Sequence, residues 1–273
     1  MPYRYAHYFY LLLIPASAFA FSGYLSEIAY ESYLKHVHAL SATLWILLLA
    51  AQSASIHNGR RVLHRRLGFA SLFLFPVYLA GFLFVYRSEA MRIVAGDPYA
   101  NTFGPGIGFM TLIAVAATGY MYYAGLRDRR NVQLHARWML VTVLLFSESV
   151  MGRILNNTIP ALAVNGFGDV RHIYEAFHIS QLLAIGLAAA LYLGNRRHGA
   201  PFLFAIVVLA LQSIALELFD DIAVWRECFL ASASWPAPVL GAIGIALALS
   251  AVTAGWKKGG AMCIDHAQRV RQE

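Results

Sequence analysis

The stretch Leu67-Gly-Phe-Ala-Ser-Leu-Phe-Leu-Phe-Pro-Val-Tyr-Leu-Ala-Gly-Phe-Leu-Phe-Val-Tyr86 contains no charged side chain. Arg65-Arg66 precedes it and Arg87 follows it, so charge is confined to its edges. A helix needs about 20 apolar residues to cross the hydrocarbon core of a bilayer, and this run has that length. Comparable runs occupy 8–24, 36–56, 105–125, 136–156, 172–194, 201–222 and 237–255. The sequence therefore predicts an all-α, polytopic transmembrane bundle of eight spanning helices. It predicts a single transmembrane domain over 1–256, followed by a short, polar, loose cytoplasmic tail, 257–273.

Composition excludes the alternatives. Of 273 residues, 59% are hydrophobic and 13% charged, with a mean hydropathy of +0.58. A soluble domain carries about 25% charge, so this chain has too little polar surface to cover a water-soluble globule. A soluble enzyme, a disordered chain and a coiled coil are set aside on that ground. Proline or glycine marks several junctions, among them Gly104-Pro105-Gly106, read as the start of a helix. Pro15 and Pro76 fall inside spans, where neighbouring helices can satisfy the freed carbonyl.

The charges choose an orientation. The formal charge is +7 and the pI about 9.5, but the basic residues lie in short clusters between apolar runs. They read as topology signals and not as a nucleic-acid surface. Alternate loops hold Arg4, then Arg60, Arg61, Arg65 and Arg66, then Arg127, Arg129, Arg130 and Arg137, then Arg196 and Arg197, then Lys257, Lys258, Arg269 and Arg271. Only Asp128, Asp265 and Glu273 oppose them there. This asymmetry puts both termini in the cytoplasm. Ala16-Ser17-Ala18 resembles a cleavage site, but apolar residues continue past it, which favours a retained first helix; were it cleaved, seven spans would remain. Cys228 and Cys263 fall on opposite sides of the membrane and should not pair.

Ten histidines sort by side. His38 and His178 lie near the outer face, His64 and His135 near the cytoplasmic one. Two imidazoles on different helices are what a membrane haem b requires, and neighbouring Arg65, Arg66 and Arg137 would hold the propionates. The competing reading is that these histidines are interfacial anchors and hydrogen-bonding groups. Buried ionisable residues are the second signal, because charge at bilayer depth is costly unless paired. Glu148 is mid-span, Arg153 follows it as a possible ion-pair partner, and Glu217 lies within 201–222 with Asp220 and Asp221 beyond. They would line an outer-facing cavity for a substrate, a quinone or a proton path, with Gln181 and Gln212 adding hydrogen bonds, or else lock helix packing. No spacing suits a bound metal ion: His36 and His38, and His172 and His178, diverge around their helices.

The stretch from His38 to about Leu155 reads His38, Gln52, Arg61, then His64-Arg65-Arg66-Leu67-Gly68, then His135-Ala136-Arg137-Trp138-Met139 and Gly152-Arg153. It resembles a widespread bacterial family of multi-pass membrane proteins of unknown function. That family is marked by a His…Gln pair in one span, His-Arg-x-x-Gly at the start of the next, and His-x-x-Trp-Met at a later one. The resemblance covers somewhat under half the chain. It implies a helical fold in the bacterial cytoplasmic (inner) membrane and singles out His38, Gln52, His64, His135 and Arg153; it brings no activity. The paired histidines are similar to those of transmembrane di-haem cytochromes in arrangement but in no motif. The leading expectation is a haem b electron-transfer protein, with or without oxidoreductase activity; the alternatives are a transporter or small-molecule binding protein using the buried Glu and Arg, and a non-catalytic accessory subunit of a membrane complex.

Overall fold

The computed structural model describes residues 2–270, the last ten by backbone alone. Among the described residues the chain is helical with no strand. The helices are α1 (Ala6–Ala20), α2 (Ser22–Ser26), α3 (Tyr33–His57), α4 (Arg61–Val94), α5 (Pro98–Arg127), α6 (Val132–Thr158), α7 (Val170–Gly194), α8 (Ala200–Leu218), α9 (Ala223–Ala231) and α10 (Ala237–Val270). Seven of them, α3 to α8 and α10, are long and apolar enough to cross a membrane. α1 is apolar but has 15 residues, about 22 Å of helix against a hydrocarbon core of about 30 Å.

Sequential helices run antiparallel, so the bundle has a basic end, with Arg60–Arg66 and Arg127–Arg137, and an acidic end, with Asp97, Glu217 and Asp220. α5 is the central helix and packs against α4, α6, α8 and α10. α3, α4 and α10 lie to one side of it and α6, α7 and α8 to the other, with α1 lying against α3 and α6.

The core is aromatic. Trp45 of α3 is fully buried, stacks on Tyr78 of α4 at 5.4 Å, and meets Tyr122 of α5 edge-on at 5.5 Å. Its indole N–H donates to Thr142 Oγ1 of α6 at 3.3 Å. One side chain thereby ties four helices. Aromatic pairs of this kind add about 0.5–1.5 kcal/mol beyond their burial.

Local signals account for most helix ends. Asp97 caps α5, its carboxylate accepting from the Tyr99 and Ala100 amides at 2.9 and 3.0 Å, and Pro98 occupies the first turn, where no amide is needed. Helix α5 therefore starts at Pro98, and the expected start at Gly104-Pro105-Gly106 is a correction: that triplet lies inside the helix. Gly96, at φ +84°, makes the turn before it. The backbone of α10 continues helical to Val270, so the stretch expected to be a loose tail from 257 is helical over that length. The side chains of Cys263, Asp265 and Arg269, and all of Arg271 and Glu273, lie outside the described residues. The short α9, over the acidic end, was not expected from hydropathy.

Helices approach closely where side chains are small. A Cβ at Gly244 of α10 would lie 2.6 Å from the Ala80 Cα of α4, a backbone-to-backbone contact of the kind that drives helix association in lipid. Gly244→Leu is expected to open the α4–α10 seam and destabilise the fold by about 1–3 kcal/mol, read as a lower melting temperature in detergent. Gly119→Leu, at a position where a Cβ meets nothing within 4 Å, should leave it unchanged.

Candidate functional site

Many of the buried polar side chains left without a partner gather in two places, although His38 Nδ1 of α3 and Thr118 Oγ1 of α5 are unpartnered too. The first is at the acidic half, among α5, α6, α7 and α8. Asn156 of α6 donates to the His172 carbonyl of α7 at 3.1 Å, and a Cβ at Gly152 would sit 3.6 Å from Ser180 Oγ. This register sets Glu148 against Gln181, its polar neighbour. On α8, Ser213 and Glu217 both reach His178 of α7, which brings Gln212 level with Gln181. Glu148, Gln181 and Gln212 are 3%, 1% and 1% exposed. Glu148 Oε2, Gln181 Oε1 and Gln212 Oε1 are all buried without a hydrogen-bond partner. Met110 of α5 borders the group, its sulfur accepting from Gln181 Nε2 at 3.9 Å.

Above this group lies a chain that reaches the surface. His178 Nε2–H donates to Glu217 Oε1 at 2.7 Å, and its Nδ1 lies 2.7 Å from the Ser213 hydroxyl. Glu217 Oε2 accepts from Arg171 Nη1 at 2.9 Å, and Glu217 is exposed. Beside it, Asp220 accepts from the Gly106 amide at 2.7 Å and from the Tyr174 hydroxyl. A Cβ at Gly106 would strike the Leu216 carbonyl at 2.4 Å and Asp220 Oδ1 at 2.9 Å. Only glycine lets the carboxylate reach the α5 backbone there.

The sequence expectations divide against this geometry. Glu148 and Arg153 do not pair: Arg153 donates to the Ser149 carbonyl and hydroxyl at 3.0 and 2.9 Å and lies 4.5 Å from the Phe21 ring. Five residues separate Glu148 from Arg153, about 140° around a helix, whereas Ser149 is four back and on Arg153's own face. His38 and His178 are not brought together as an axial pair. His38 packs edge-on against Phe82 of α4 at 5.1 Å, while both nitrogens of His178 are engaged by α8. α3 packs chiefly against α1 and α4, and α7 chiefly against α6 and α8.

The second gathering is at the basic end, and here His64 and His135 do meet. Their ring centres are 6.5 Å apart and perpendicular. His64 Nδ1–H donates to the Gln52 carbonyl at 3.2 Å and His135 Nδ1–H to the Gly125 carbonyl at 2.8 Å. Each ring therefore keeps a free Nε2, the arrangement that backbone carbonyls impose on ligating histidines. His57 does the same through the Ser53 carbonyl, at 2.8 Å, and its buried Nε2 has no partner; sequence reading passed it over. The three rings and Gln52 border one cavity of about 50 Å³, lined also by Tyr3, Tyr10 and Met139. Arg137 is 3% exposed and held by the Gln133 carbonyl and side chain at 2.8 and 2.5 Å; Arg65 and Arg66 are exposed.

Spacing and tautomer suit axial ligation, but the space does not. A cavity of 50 Å³ holds about a water or two, and a porphyrin would have to displace Tyr3, Tyr10 and Met139. As folded, the residues do not fit a haem. Among the described residues no three His, Cys, Asp or Glu side chains converge to hold a metal ion.

Burial pushes the Asp220 carboxyl up to about 6, against the hydrogen bonds from Tyr174 and Gly106 that favour its charged form. The folded value lies above the ordinary 3.8. The associated stability is therefore fully present below about pH 4 and lost as pH rises through about 6. The melting temperature in detergent is expected to fall across that window and to lose this component in Asp220→Asn.

No protein-family model matches the chain, and no curated protein and no solved structure is similar enough to be matched to it.

Proposed function

We propose that this chain is a proton-handling membrane transport protein, with Glu148 as the group that takes up and releases the proton. The observation that carries this is the buried Glu148 carboxyl, which neighbours Gln181 and keeps Oε2 without a partner, level with the unpartnered amide oxygens of Gln181 and Gln212. Charge at that position needs a counter-ion, and Arg153, the nearer of the two arginines on the same helix, is bound elsewhere. A proton is what such a carboxyl exchanges without a cavity. His178 and Ser213 then form the way in from Glu217 at the surface. The three-acceptor group is rich in oxygen and free of thiolate and imidazole, which suits a proton or a small hard cation and not a transition metal.

In this reading the chain crosses the membrane eight times. α1 and α2, separated only by Phe21, together cover 21 residues, about 31 Å of helix. The basic end then faces the cytoplasm of a bacterial inner membrane, in keeping with the charge asymmetry. The likeness to the bacterial multi-pass family marks His38, Gln52, His64, His135 and Arg153 as further positions to vary.

The test is proton uptake by liposomes carrying the purified protein, driven by an imposed membrane potential and followed with an internal pH dye. Wild type should exceed empty liposomes, and Glu148→Gln should lose on the order of tenfold or more of the rate. Uptake equal to empty liposomes, or unchanged in Glu148→Gln, overturns the assignment.

One observation favours a second reading, haem b on His64 and His135: their perpendicular rings at 6.5 Å with both Nε2 atoms free. It requires the Tyr3–Tyr10 segment to move aside. Protein expressed with ample haem would then show a Soret band that shifts on dithionite reduction and is absent in His64→Ala. A flat spectrum discards it.

A further inference from the structure

The Tyr174 hydroxyl of α7 stands between two acceptors and has one hydrogen to give. One acceptor is Asp220 Oδ2, just past the end of α8; the other is the Thr102 carbonyl of α5, at 3.2 Å. The proton on Asp220 decides which of them the hydroxyl serves. An ionised Asp220 only accepts, and it draws the Tyr174 hydrogen to itself. A protonated Asp220 carries its own O–H, which donates to the Tyr174 oxygen and turns the Tyr174 hydrogen toward Thr102. The Gly106 amide donates to the other oxygen, Asp220 Oδ1, at 2.7 Å, a bond that both states can keep.

The turn of α5 that receives the Tyr174 bond leans on its neighbours. Pro105 has no N–H for the Asn101 carbonyl four residues back, and Arg226 of α9 donates to that carbonyl at 3.1 Å. Trp225 of α9 donates to the Pro105 carbonyl at 2.8 Å. Gly106, the ordinary helical donor to Thr102, donates to Asp220. A turn held so largely from outside responds to the gain or loss of one bond. The charges around Asp220 do not settle its proton in the ionised direction. Glu217 of α8 and Asp221 both act against a further negative charge there. Arg171 and His178 of α7 are engaged by Glu217, and Arg226 by Asn101. Burial first, and these carboxylates with it, place the Asp220 transition at about 6.

We propose that Asp220 and Tyr174 form a proton-linked switch between α7 and α5. With Asp220 protonated, the Tyr174 hydroxyl bonds the Thr102 carbonyl and ties the two helices; with Asp220 ionised, it bonds the carboxylate and the tie is released. Arg171, which holds Glu217, lies 5.1 Å from the Tyr174 ring centre, so the switch adjoins the surface end of the His178 chain. It involves no part of Glu148 and stands whether or not that residue carries protons.

The experiment is hydrogen–deuterium exchange of the full-length protein in detergent between pH 5 and 8, read by mass spectrometry over residues 98–106 and corrected for the intrinsic rate. Wild-type exchange should rise about fivefold through pH 6, the loss of one hydrogen bond. Asp220→Asn donates to the Tyr174 oxygen at every pH and should stay at the slow, low-pH level throughout. Tyr174→Phe leaves Asp220 free to titrate but removes the hydroxyl, and should show the fast level with no transition. A wild-type profile without a transition, a transition retained in Asp220→Asn, or one retained in Tyr174→Phe, which charge repulsion alone would give, overturns the proposal.

Discussion

Inside a bilayer no water is present to satisfy a backbone amide or a charged side chain, and that constraint orders every level of this chain. It makes the backbone helical and pushes the arginines to the edges of the apolar runs. It also governs the small polar residues within spans, which turn back onto their own helices: Ser41 to the His38 carbonyl, Ser55 to Gln52, Ser147 to Leu144 and Ser180 to Ala176. Against that background the groups left without partners are conspicuous. Glu148, Gln181, Gln212 and His57 each keep a buried polar atom unmet, at a cost of about 1–3 kcal/mol apiece. Ser53 Oγ, Thr118 Oγ1 and His38 Nδ1 are buried without partners as well, so it is the clustering of Glu148, Gln181 and Gln212, and not the lack of a partner alone, that sets the acidic half apart.

α6 separates the two gatherings. His135 and Thr142 are seven residues apart and share a face, turned toward α3 through the Thr142–Trp45 hydrogen bond. Glu148 is about 120° away from that face and Gly152 only about 40° from Glu148, so both turn to α7. The basic-end histidines and the acidic-half carboxyl thus belong to different helix groups, with the aromatic cluster around Trp45 between them. That cluster contains no continuous polar path. Under the proposed function, a proton moving beyond Glu148 would need water or a rearrangement on the side where Trp45, Tyr78 and Tyr122 pack together.

Much of the architecture was legible in the sequence because the hydrophobic signal is long and collective. The cores of all seven long spans fall where the apolar runs put them. Ends were less legible because single residues decide them. Asp97-Pro98 is a strong cap signal, yet Gly104-Pro105-Gly106 was read as the break, since a proline is normally avoided in a helix interior. Here the triplet's purpose is contact, with Gly106 giving Asp220 access to the backbone. The site was legible only as a set of residue types. That Glu148 cannot meet Arg153 follows from helical periodicity and needed no coordinates. That His178 is consumed by Ser213 and Glu217, and that three histidines border one small cavity, depends on the register of separate helices, which apolar periodicity does not encode.

Under the proposed function, His178 illustrates how the acidic half would pass a proton and not bind a ligand. A ligating imidazole needs one nitrogen free, and this ring has none. A relaying imidazole needs the opposite: an acceptor on one side and a donor on the other, each within hydrogen-bond distance, so that a proton arriving at one nitrogen is matched by release from the other. Glu217 supplies the first contact and Ser213 the second. Ser213 is adjacent in sequence to Gln212, whose amide oxygen is unmet at the level of Glu148. Arg171 holds Glu217 from the solvent side at 2.9 Å, orienting one carboxylate oxygen to the ring while occupying the other.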